Sequence, residues 1–293
     1  MESQLPIAFN THESIWDEWT GLKRLRRRLR APFYRLSDTG WFGLTPLRTH
    51  VLICGYQRAG TTLFLMMMEH AFPRARFFGT EKSAWRAATF EWRNHAVVIS
   101  KVPTDIFRLQ RLRNFYSDRR AKLKTIIMIR DPRDVLSSRH IKTGDHAYFQ
   151  NIDQWKDIHA HVMQHCNDPD VMVVRYEDLV TDPNTVQAKV EAFTGEQSER
   201  RFNDAPAAIR PDFDTHPLNG VRPVDCSRVG RWARSEHRLR MEEILRELPA
   251  LPQILIDLGY ETDTSWTERL RPTPALMPHH SELSVASVRV LSA

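Results

Sequence analysis

The sequence predicts an α/β fold in which a central parallel sheet is flanked by helices. Short apolar runs of the kind found in buried strands occur at 49–54, 96–99, 125–129 and 171–174. Stretches with a helical pattern separate these runs, and such alternation indicates parallel strands covered by helices on both faces. The 293 residues, of which 41% are hydrophobic, are sufficient for one large domain of this class.

Helical patterns cover 104–115, 132–142, 152–166, 182–193 and 236–258. The chain from 204 to 226 is rich in Pro, Asp and Asn, which predicts a long loop. We therefore expect an N-terminal extension with a basic helix over 1–47, one domain over 48–262, and a flexible C-terminal tail over 263–293.

The composition excludes several classes of protein. Charged residues make up 27% of the chain, close to the globular average, so wholesale disorder is not expected. The longest apolar run, 63–68, is far shorter than the roughly 18–20 residues of a membrane span. The first residues lack the pattern of a signal peptide. Three widely spaced cysteines (Cys54, Cys166 and Cys226) argue against a disulfide framework and against a cysteine-based zinc site. We expect a cytoplasmic protein.

The surplus of positive charge is confined to one short segment. The net charge is +6, and residues 23–30 contain six Lys or Arg and no acidic residue. Because the rest of the chain is balanced, no nucleic-acid partner is expected. Leu22, Leu25 and Leu29 share one helical face, so the segment 22–30 can contact an anionic membrane surface. The interpretation we favour is a surface helix that packs its leucines on the body of the protein.

The segment Gly55–Thr62 has the pattern of a phosphate-binding loop. It directly follows a predicted strand and opens a predicted helix near Thr61, so its backbone N–H groups and the helix dipole favour an anion. Gly60 permits a close backbone approach, and the hydroxyls of Thr61 and Thr62 can donate to phosphate oxygens. The alternative is an ordinary strand–helix turn with Thr as its N-cap.

The loop differs from that of a typical ATPase. Its spacing is that of a Walker A loop, but Thr61 stands at the lysine position and the cation is moved to Arg58. The strand ending at Ile129 continues into Arg130, a cation where a magnesium ligand is expected. The pattern therefore predicts a P-loop-like, three-layer phosphate-binding protein rather than an ordinary kinase.

This loop resembles the first motif of the sulfotransferases that use 3′-phosphoadenosine 5′-phosphosulfate (PAPS). In that family a strand is followed by Lys/Arg-Ser-Gly-Thr-Thr and a helix, which here reads Arg58-Ala59-Gly60-Thr61-Thr62. The resemblance implies that these five residues bind the 5′-phosphosulfate and that 3′-phosphoadenosine 5′-phosphate (PAP) is the product.

A second segment, from Arg130 to Ser138, strengthens the resemblance. Asp131, Pro132 and Asp134 are suited to the start of a helix and are assigned to capping. Arg130 lies at the carboxyl end of a predicted strand, where ligands bind in open α/β sheets, and Ser138 follows two helical turns later. The family places an Arg and a Ser at this spacing around the 3′-phosphate, and an Arg fork with a hydroxyl suits a phosphomonoester.

The segment 227–232 resembles the family's late Gly-x-Trp segment, which folds over the nucleotide. The resemblance implies that Arg228 and Arg231 reach the 3′-phosphate, that Trp232 stacks on adenine, and that Ser227 helps to orient the phosphosulfate. The alternative is that either Arg is a solvated loop residue. The segment 173–179 matches a part of the family that we assign to packing and helix capping.

The residues that follow the predicted strand at 96–99 decide which group is expected to be the base. Aryl and steroid sulfotransferases place Lys-x-His after a strand, but here Lys101 is followed by Pro103 at the histidine position. The carbohydrate and tyrosylprotein types use a Glu from the segment after the first helix, which implies Glu81 as general base, with Glu91 as fallback. A surface Glu is the alternative. Lys101 and Arg58 are expected to stabilise the bridging oxygen, and no metal is required.

These observations predict a PAPS-dependent sulfotransferase that acts by in-line displacement on a hydroxyl, with a carbohydrate acceptor first and a lipid-linked or other small molecule next. The enzyme alternative is a P-loop nucleotide kinase or NTPase. The non-enzyme alternative is a nucleotide-binding module that docks on a membrane or an acidic partner through 23–30.

Overall fold

Five parallel strands form the centre of the molecule, as the sequence predicts. The computed structural model describes residues 29, 32–33, 39–78, 83–89, 94–139, 148–208, 224 and 226–270. The strands are β1 (Thr49–Gly55), β2 (Arg76–Phe77), β3 (Val97–Lys101), β4 (Lys122–Ile129) and β5 (Val171–Arg175), and their order in the sheet is β2-β3-β1-β4-β5. β2 has two residues, which is too short to give a strand pattern in the sequence.

The α-helices are α1 (Thr61–Ala71), α2 (Ala84–Thr89), α3 (Leu109–Tyr116), α4 (Pro132–Leu136), α5 (Ile152–His165), α6 (Tyr176–Thr181), α7 (Pro183–Thr194), α8 (Arg238–Glu247) and α9 (Leu251–Asp257). Short 3₁₀ turns occur at Trp41–Gly43, Pro103–Arg108, Phe202–Ala208, Arg231–Ala233, Ser235–His237 and Ser265–Leu270.

The strand order fixes the layers and the position of the cleft. The chain moves from β1 outward to β2 and then returns through β3 to β4 and β5, so right-handed crossovers place α1 on one face and α2, α3 and α5 on the other. All seven residues of β1 are buried. The connections leaving β1 and β4 diverge, and the crevice between their carboxyl ends is where ligands bind in such sheets.

Two predicted helices are shorter than the sequence pattern suggested. The helix expected over 132–142 ends at Leu136, because the chain turns back and Arg139 forms an antiparallel bridge with Tyr148. The helix expected over 236–258 is divided into α8 and α9 at Pro249, which cannot continue a helix.

The folded body extends beyond the expected boundary at 262. The 3₁₀ turn Ser265–Leu270 carries Trp266, which is 1% exposed and packs edge-to-face on Trp232 at a centroid distance of 5.5 Å. Burial of a large aromatic ring holds this turn on the body. Residues 271–293 lie outside the described ranges.

The basic segment 22–30 departs from the favoured interpretation at its one described leucine. Leu29 is 65% exposed and therefore does not pack on the body, and Phe33, four residues later, is 64% exposed. Leu22 and Leu25 lie outside the described residues. Within the described ranges, none of the helices has the length and apolar character needed to cross a bilayer.

Two glycines in the left-handed region bound helices in different surroundings. Gly60 precedes α1 with φ +79°, and a Cβ added there would come within 2.5 Å of the Tyr176 ring. Gly195 follows α7 with φ +75°, and no atom lies within 4 Å of its added Cβ. A substitution that adds a side chain therefore strains the backbone at both positions, whereas it causes a steric clash only at Gly60.

We expect Gly60→Ala to destabilise the protein clearly more than Gly195→Ala does. The strain of a non-glycine residue in the left-handed region is about 1 kcal/mol or more, and it applies to both variants. Only Gly60→Ala must also displace Tyr176. Free energies of unfolding measured in urea compare the two variants. Equal losses would mean that Tyr176 moves away without cost and does not hold the phosphate loop.

Candidate active site

The phosphate loop begins where β1 and β4 are in closest contact. Gly55 has φ +118°, and an added Cβ would lie 2.3 Å from the carbonyl oxygen of Met128 on β4. The next residue, Tyr56, donates its backbone N–H to the same oxygen at 2.9 Å. The buried phenol of Tyr56 is hydrogen-bonded to Nδ1 of His159 on α5 at 2.7 Å. These contacts fix where the loop leaves the sheet.

The loop ends at the N-terminus of α1, as expected of an anion site. Ala59, Thr61 and Thr62 are buried, and the N-cap is Gly60, which has no side chain to cap the helix. The alternative in which a threonine caps the helix is therefore wrong. The first backbone N–H groups of α1 have no partner within the helix, which is the general basis of anion binding at a helix N-terminus.

Lys101 lies at the carboxyl end of β3, beside the phosphate loop. It is 1% exposed, and its ammonium group donates to Oγ1 of Thr62 at 3.2 Å. A hydroxyl oxygen that accepts from an ammonium group still has its own proton to donate. Lys101 thus orients the Thr62 hydroxyl as a donor and adds a buried positive charge next to the loop.

Arg58 occupies the left-handed region with φ +62°, which is unusual for a residue other than glycine. Its Nε donates to Oγ of Ser138 at 3.0 Å, and its guanidinium lies 5.2 Å from the centre of the Phe149 ring. Burial lowers the pKa of Arg58, and the charges of Arg130 and Arg228 lower it further. The positive charges of Arg130 and Arg228 therefore both oppose the charge of Arg58.

Arg130 follows β4 and connects the phosphate loop to the late segment 226–232. Its Nη1 donates to the carbonyl oxygen of Arg58 at 3.1 Å, and its Nη2 donates to that of Arg228. Nη2 also lies 3.3 Å from the carboxylate of Asp134, and the guanidinium stacks 4.5 Å from the centre of the Tyr176 ring. Its Nε is buried and has no hydrogen-bond partner within the described ranges.

Ser138 is hydrogen-bonded to Arg58, whereas its spacing in the sequence suggested that it faces Arg130. The sequence places it on a helix facing Arg130, but it follows the end of α4, and its hydroxyl accepts from Arg58. The structure therefore joins the second signature to the phosphate loop through the Arg58–Ser138 hydrogen bond. Both Ser138 and Arg130 remain at the carboxyl edge of the sheet.

The late segment lies over Arg130, with its side chains in different environments. Ser227 is exposed, and Arg228 and Arg231 are half-buried. The Nε of Arg231 has no partner in the described part of the chain.

Trp232 is not available to stack on a nucleotide base as the resemblance implied. It is 7% exposed, and its ring contacts both the guanidinium of Arg133, at 3.9 Å from the ring centre, and the indole of Trp266. Arg133 in turn forms ion pairs with Asp131 and Glu261 at 2.7 and 2.5 Å. Trp232 is therefore a packing residue that fixes the end of the segment 226–232.

Sequence reasoning assigned Asp131 correctly and missed what Asp134 does. Asp131 caps α4, since its side chain accepts the backbone N–H of Arg133. Asp134 instead accepts the backbone N–H groups of Gly230 and Trp232, both at 2.9 Å. Tyr176 was assigned to packing, which its ring performs between Gly60 and Arg130. The contacts of Asp134 and Tyr176 are made with residues distant in sequence, so a local sequence pattern does not predict them.

The expected base lies outside the described residues, but both flanks of its segment are ordered. Glu81 and the fallback Glu91 belong to ranges that the structure does not describe. Phe78, which follows β2, is buried. At the other flank, the backbone N–H of Ala84 donates to the buried carboxylate of Asp105 at 2.6 Å, and Asp105 lies in the 3₁₀ turn after β3. Among the described residues, no group of three or more His, Cys, Asp or Glu side chains is arranged to hold a metal ion.

Comparison with solved structures gives several similar chains. A sulfotransferase from Alicyclobacillus acidocaldarius is 17% identical, with a TM-score of 0.40, over 75% of this chain and 99% of that one. A mouse sulfotransferase complexed with PAP is 15% identical, with a TM-score of 0.42, over 72% and 88% of the two chains. The sulfotransferase domain of the Synechococcus PCC 7002 olefin synthase is 15% identical, with a TM-score of 0.45, over 64% and 88%. A search of curated protein sequences gave no match.

The family model described as "Sulfotransferase domain" matches residues 48–206. The match covers more than half of the chain and includes the phosphate loop, Lys101, Arg130 and Ser138. The protein therefore belongs to the sulfotransferase family of enzymes, which transfer a sulfuryl group to a hydroxyl-bearing acceptor.

Proposed function

We propose that this enzyme transfers a sulfuryl group from PAPS to a carbohydrate hydroxyl, with Glu81 as general base. The observation that carries the donor assignment is the environment of Arg130. Its Nε–H is buried without a partner in the described part of the chain. Burial lowers the pKa of the nearby Arg58, and the positive charges of Arg130 and Arg228 lower it further. A buried donor without a partner is costly, and a phosphate oxygen would remove that cost.

A second anionic group is accommodated at the phosphate loop. The N-terminus of α1, the Thr62 hydroxyl and the buried Lys101 ammonium supply donors and positive charge there. PAPS carries anionic groups at both its 5′ and its 3′ positions, whereas ATP carries its phosphates in one chain. Two separate cationic positions, after β1 and after β4, support a donor of the PAPS type.

In the proposed reaction the acceptor oxygen attacks sulfur in line and PAP leaves. Arg58 and Lys101 stabilise the charge that develops on the bridging oxygen. Thr61, Thr62, Ala59 and Gly60 hold the 5′-phosphosulfate. Arg130, with Arg228 and Arg231, holds the 3′-phosphate, while Ser138 and Ser227 orient the two anionic groups.

Glu81 is proposed as base because the described residues on both sides of its segment are attached to β3 and to the turn that follows it. β2 pairs with β3, so the chain that follows Phe78 starts next to the strand that ends at Lys101. Asp105 then fixes the return of the chain at Ala84. The histidine of the aryl and steroid enzymes is replaced by Pro103, so another group must take the acceptor proton.

The absence of that histidine also supports a carbohydrate acceptor over a small phenol. A lipid-linked saccharide is the related candidate, because exposed Leu29 lies within the basic run 23–30 and exposed Phe33 follows it. An exposed apolar face next to clustered Arg residues favours contact of 22–30 with an anionic membrane surface. In a soluble saccharide and in a lipid-linked saccharide alike, the acceptor group is a sugar hydroxyl.

We expect PAP to bind without magnesium, and Arg130→Ala to raise its dissociation constant by about tenfold to a hundredfold, the worth of charge-assisted hydrogen bonds. Calorimetric titration with PAP, and with ATP plus magnesium, measures this. The matched control is Arg175→Ala, which removes an Arg from the end of the adjacent strand, where it contacts the carbonyls of Leu258 and Gly259 and the Tyr260 ring.

Arg175→Ala is expected to leave the affinity for PAP within about twofold, since this Arg faces the C-terminal helices. Preferential binding of magnesium ATP by the wild type would instead support the kinase alternative. Binding of PAP without turnover on any acceptor would support the docking module.

We expect Glu81→Gln to reduce kcat by about a hundredfold or more, because loss of a general base commonly has an effect of 10²–10⁴. Transfer of labelled sulfate from PAPS is measured over soluble saccharides, lipid-linked saccharides in anionic vesicles, and phenols. Glu91→Gln is the matched control and is expected to retain activity. The reverse result would assign the base to Glu91, and activity confined to phenols would refute the carbohydrate acceptor.

A further inference from the structure

The carboxylate of Asp134 is engaged on both oxygens by groups outside its own helix. Oδ1 accepts the backbone N–H of Trp232 at 2.9 Å, and Oδ2 accepts that of Gly230 at 2.9 Å. Oδ2 also lies 3.3 Å from Nη2 of Arg130, and the Asp134 side chain is 0% exposed. The residue thus joins the second signature to a segment almost a hundred positions later in the chain.

Together with the hydrogen bonds of Arg130, these contacts connect the phosphate loop, the start of α4 and the segment 226–232 to one another. Arg130 donates to the carbonyl oxygens of Arg58 in the phosphate loop and Arg228 in the late segment. Asp134 holds the same late segment through its backbone and holds Arg130 through Nη2. Hydrogen bonds to a charged group are among the stronger ones, so the three elements are mutually fixed.

Capping does not explain this arrangement. Asp131 already caps α4 through its own carboxylate. The oxygens of Asp134 are directed to the segment 226–232, and Asp134 has no hydrogen bond to the first turn of α4 among the described contacts. Its role must therefore be sought in the segment that it holds.

We propose that Asp134 is a positioning residue for the donor: it holds Arg130 and the segment 226–232 in the arrangement that recognises the 3′-phosphate. This inference rests on the proposed PAPS donor. Binding of the 3′-phosphate and the position of the segment 226–232 are coupled through the Asp134 carboxylate. The residue acts through Arg130 and the backbone, and it does not itself contact the donor.

The sign of the effect separates positioning from simple electrostatics. A carboxylate beside an anion site repels the anion, so its neutralisation alone would strengthen binding of PAP. Asp134→Asn removes the charge with little change in size, but its amide group cannot accept from both backbone N–H groups and Arg130. Positioning therefore predicts weaker binding, the opposite of the Coulombic expectation.

The experiment compares the wild type, Asp134→Asn and the matched control Asp170→Asn by calorimetry with PAP and with adenosine 5′-phosphate, which lacks the 3′-phosphate. Asp170 also binds an arginine, Arg113, but it lies just before β5, at the amino ends of the strands, whereas the candidate site lies at their carboxyl ends. We expect Asp134→Asn to raise the dissociation constant of PAP about tenfold or more and that of adenosine 5′-phosphate less than threefold. Asp170→Asn should change neither of the two dissociation constants.

A measurement on the wild type keeps the test independent of how well the variant folds. Amide hydrogen exchange at Gly230 and Trp232 is expected to slow when PAP is added, and to slow less with adenosine 5′-phosphate. Unchanged exchange with PAP bound, or an Asp134→Asn variant that binds PAP equally or more tightly, would overturn the inference while leaving the donor proposal intact. A wild type that binds no PAP would refute the donor proposal and the coupling together.

Discussion

At Gly55 the backbones of β1 and β4 are so close that a side chain does not fit between them. Every element of the candidate site depends on this contact, because it brings the carboxyl ends of the two strands together where their connections diverge. The phosphate loop leaves one strand, and Arg130 leaves the other. The hydrogen bond from Arg130 to the Arg58 carbonyl is possible only because these two exits are adjacent.

The buried arginines of the site are stabilised in two different ways. Burial opposes the charge of both Arg133 and Arg58, but two carboxylates, Asp131 and Glu261, raise the pKa of Arg133. Arg58 has cationic neighbours that lower its pKa further. A cation with paired acids holds the fold together, whereas cations that repel one another are stabilised by an anionic ligand. The contrast separates a structural arginine, Arg133, from the candidate binding arginine, Arg58, within a single region.

The parts of the site that depend on local sequence were predictable, and the parts that depend on distant contacts were not. The strand–loop–helix spacing around Gly60 predicted the phosphate loop, and the strand end predicted the position of Arg130. The end of α4 before Ser138 was missed, because the antiparallel bridge from Arg139 to Tyr148 overrides the helical pattern. Asp134 was assigned to capping because its partners lie almost a hundred residues away.

The contact of Arg133 with two indoles has a consequence for the cooperativity of the fold. Its guanidinium contacts Trp232 from the late segment and Trp266 from the last described turn, and Glu261 pairs with it. Because Arg133 contacts all of them, these separate stretches of chain are expected to open together rather than independently. Fluctuations of the described turn Ser265–Leu270 are therefore expected to be transmitted to the segment 226–232, which lies over Arg130.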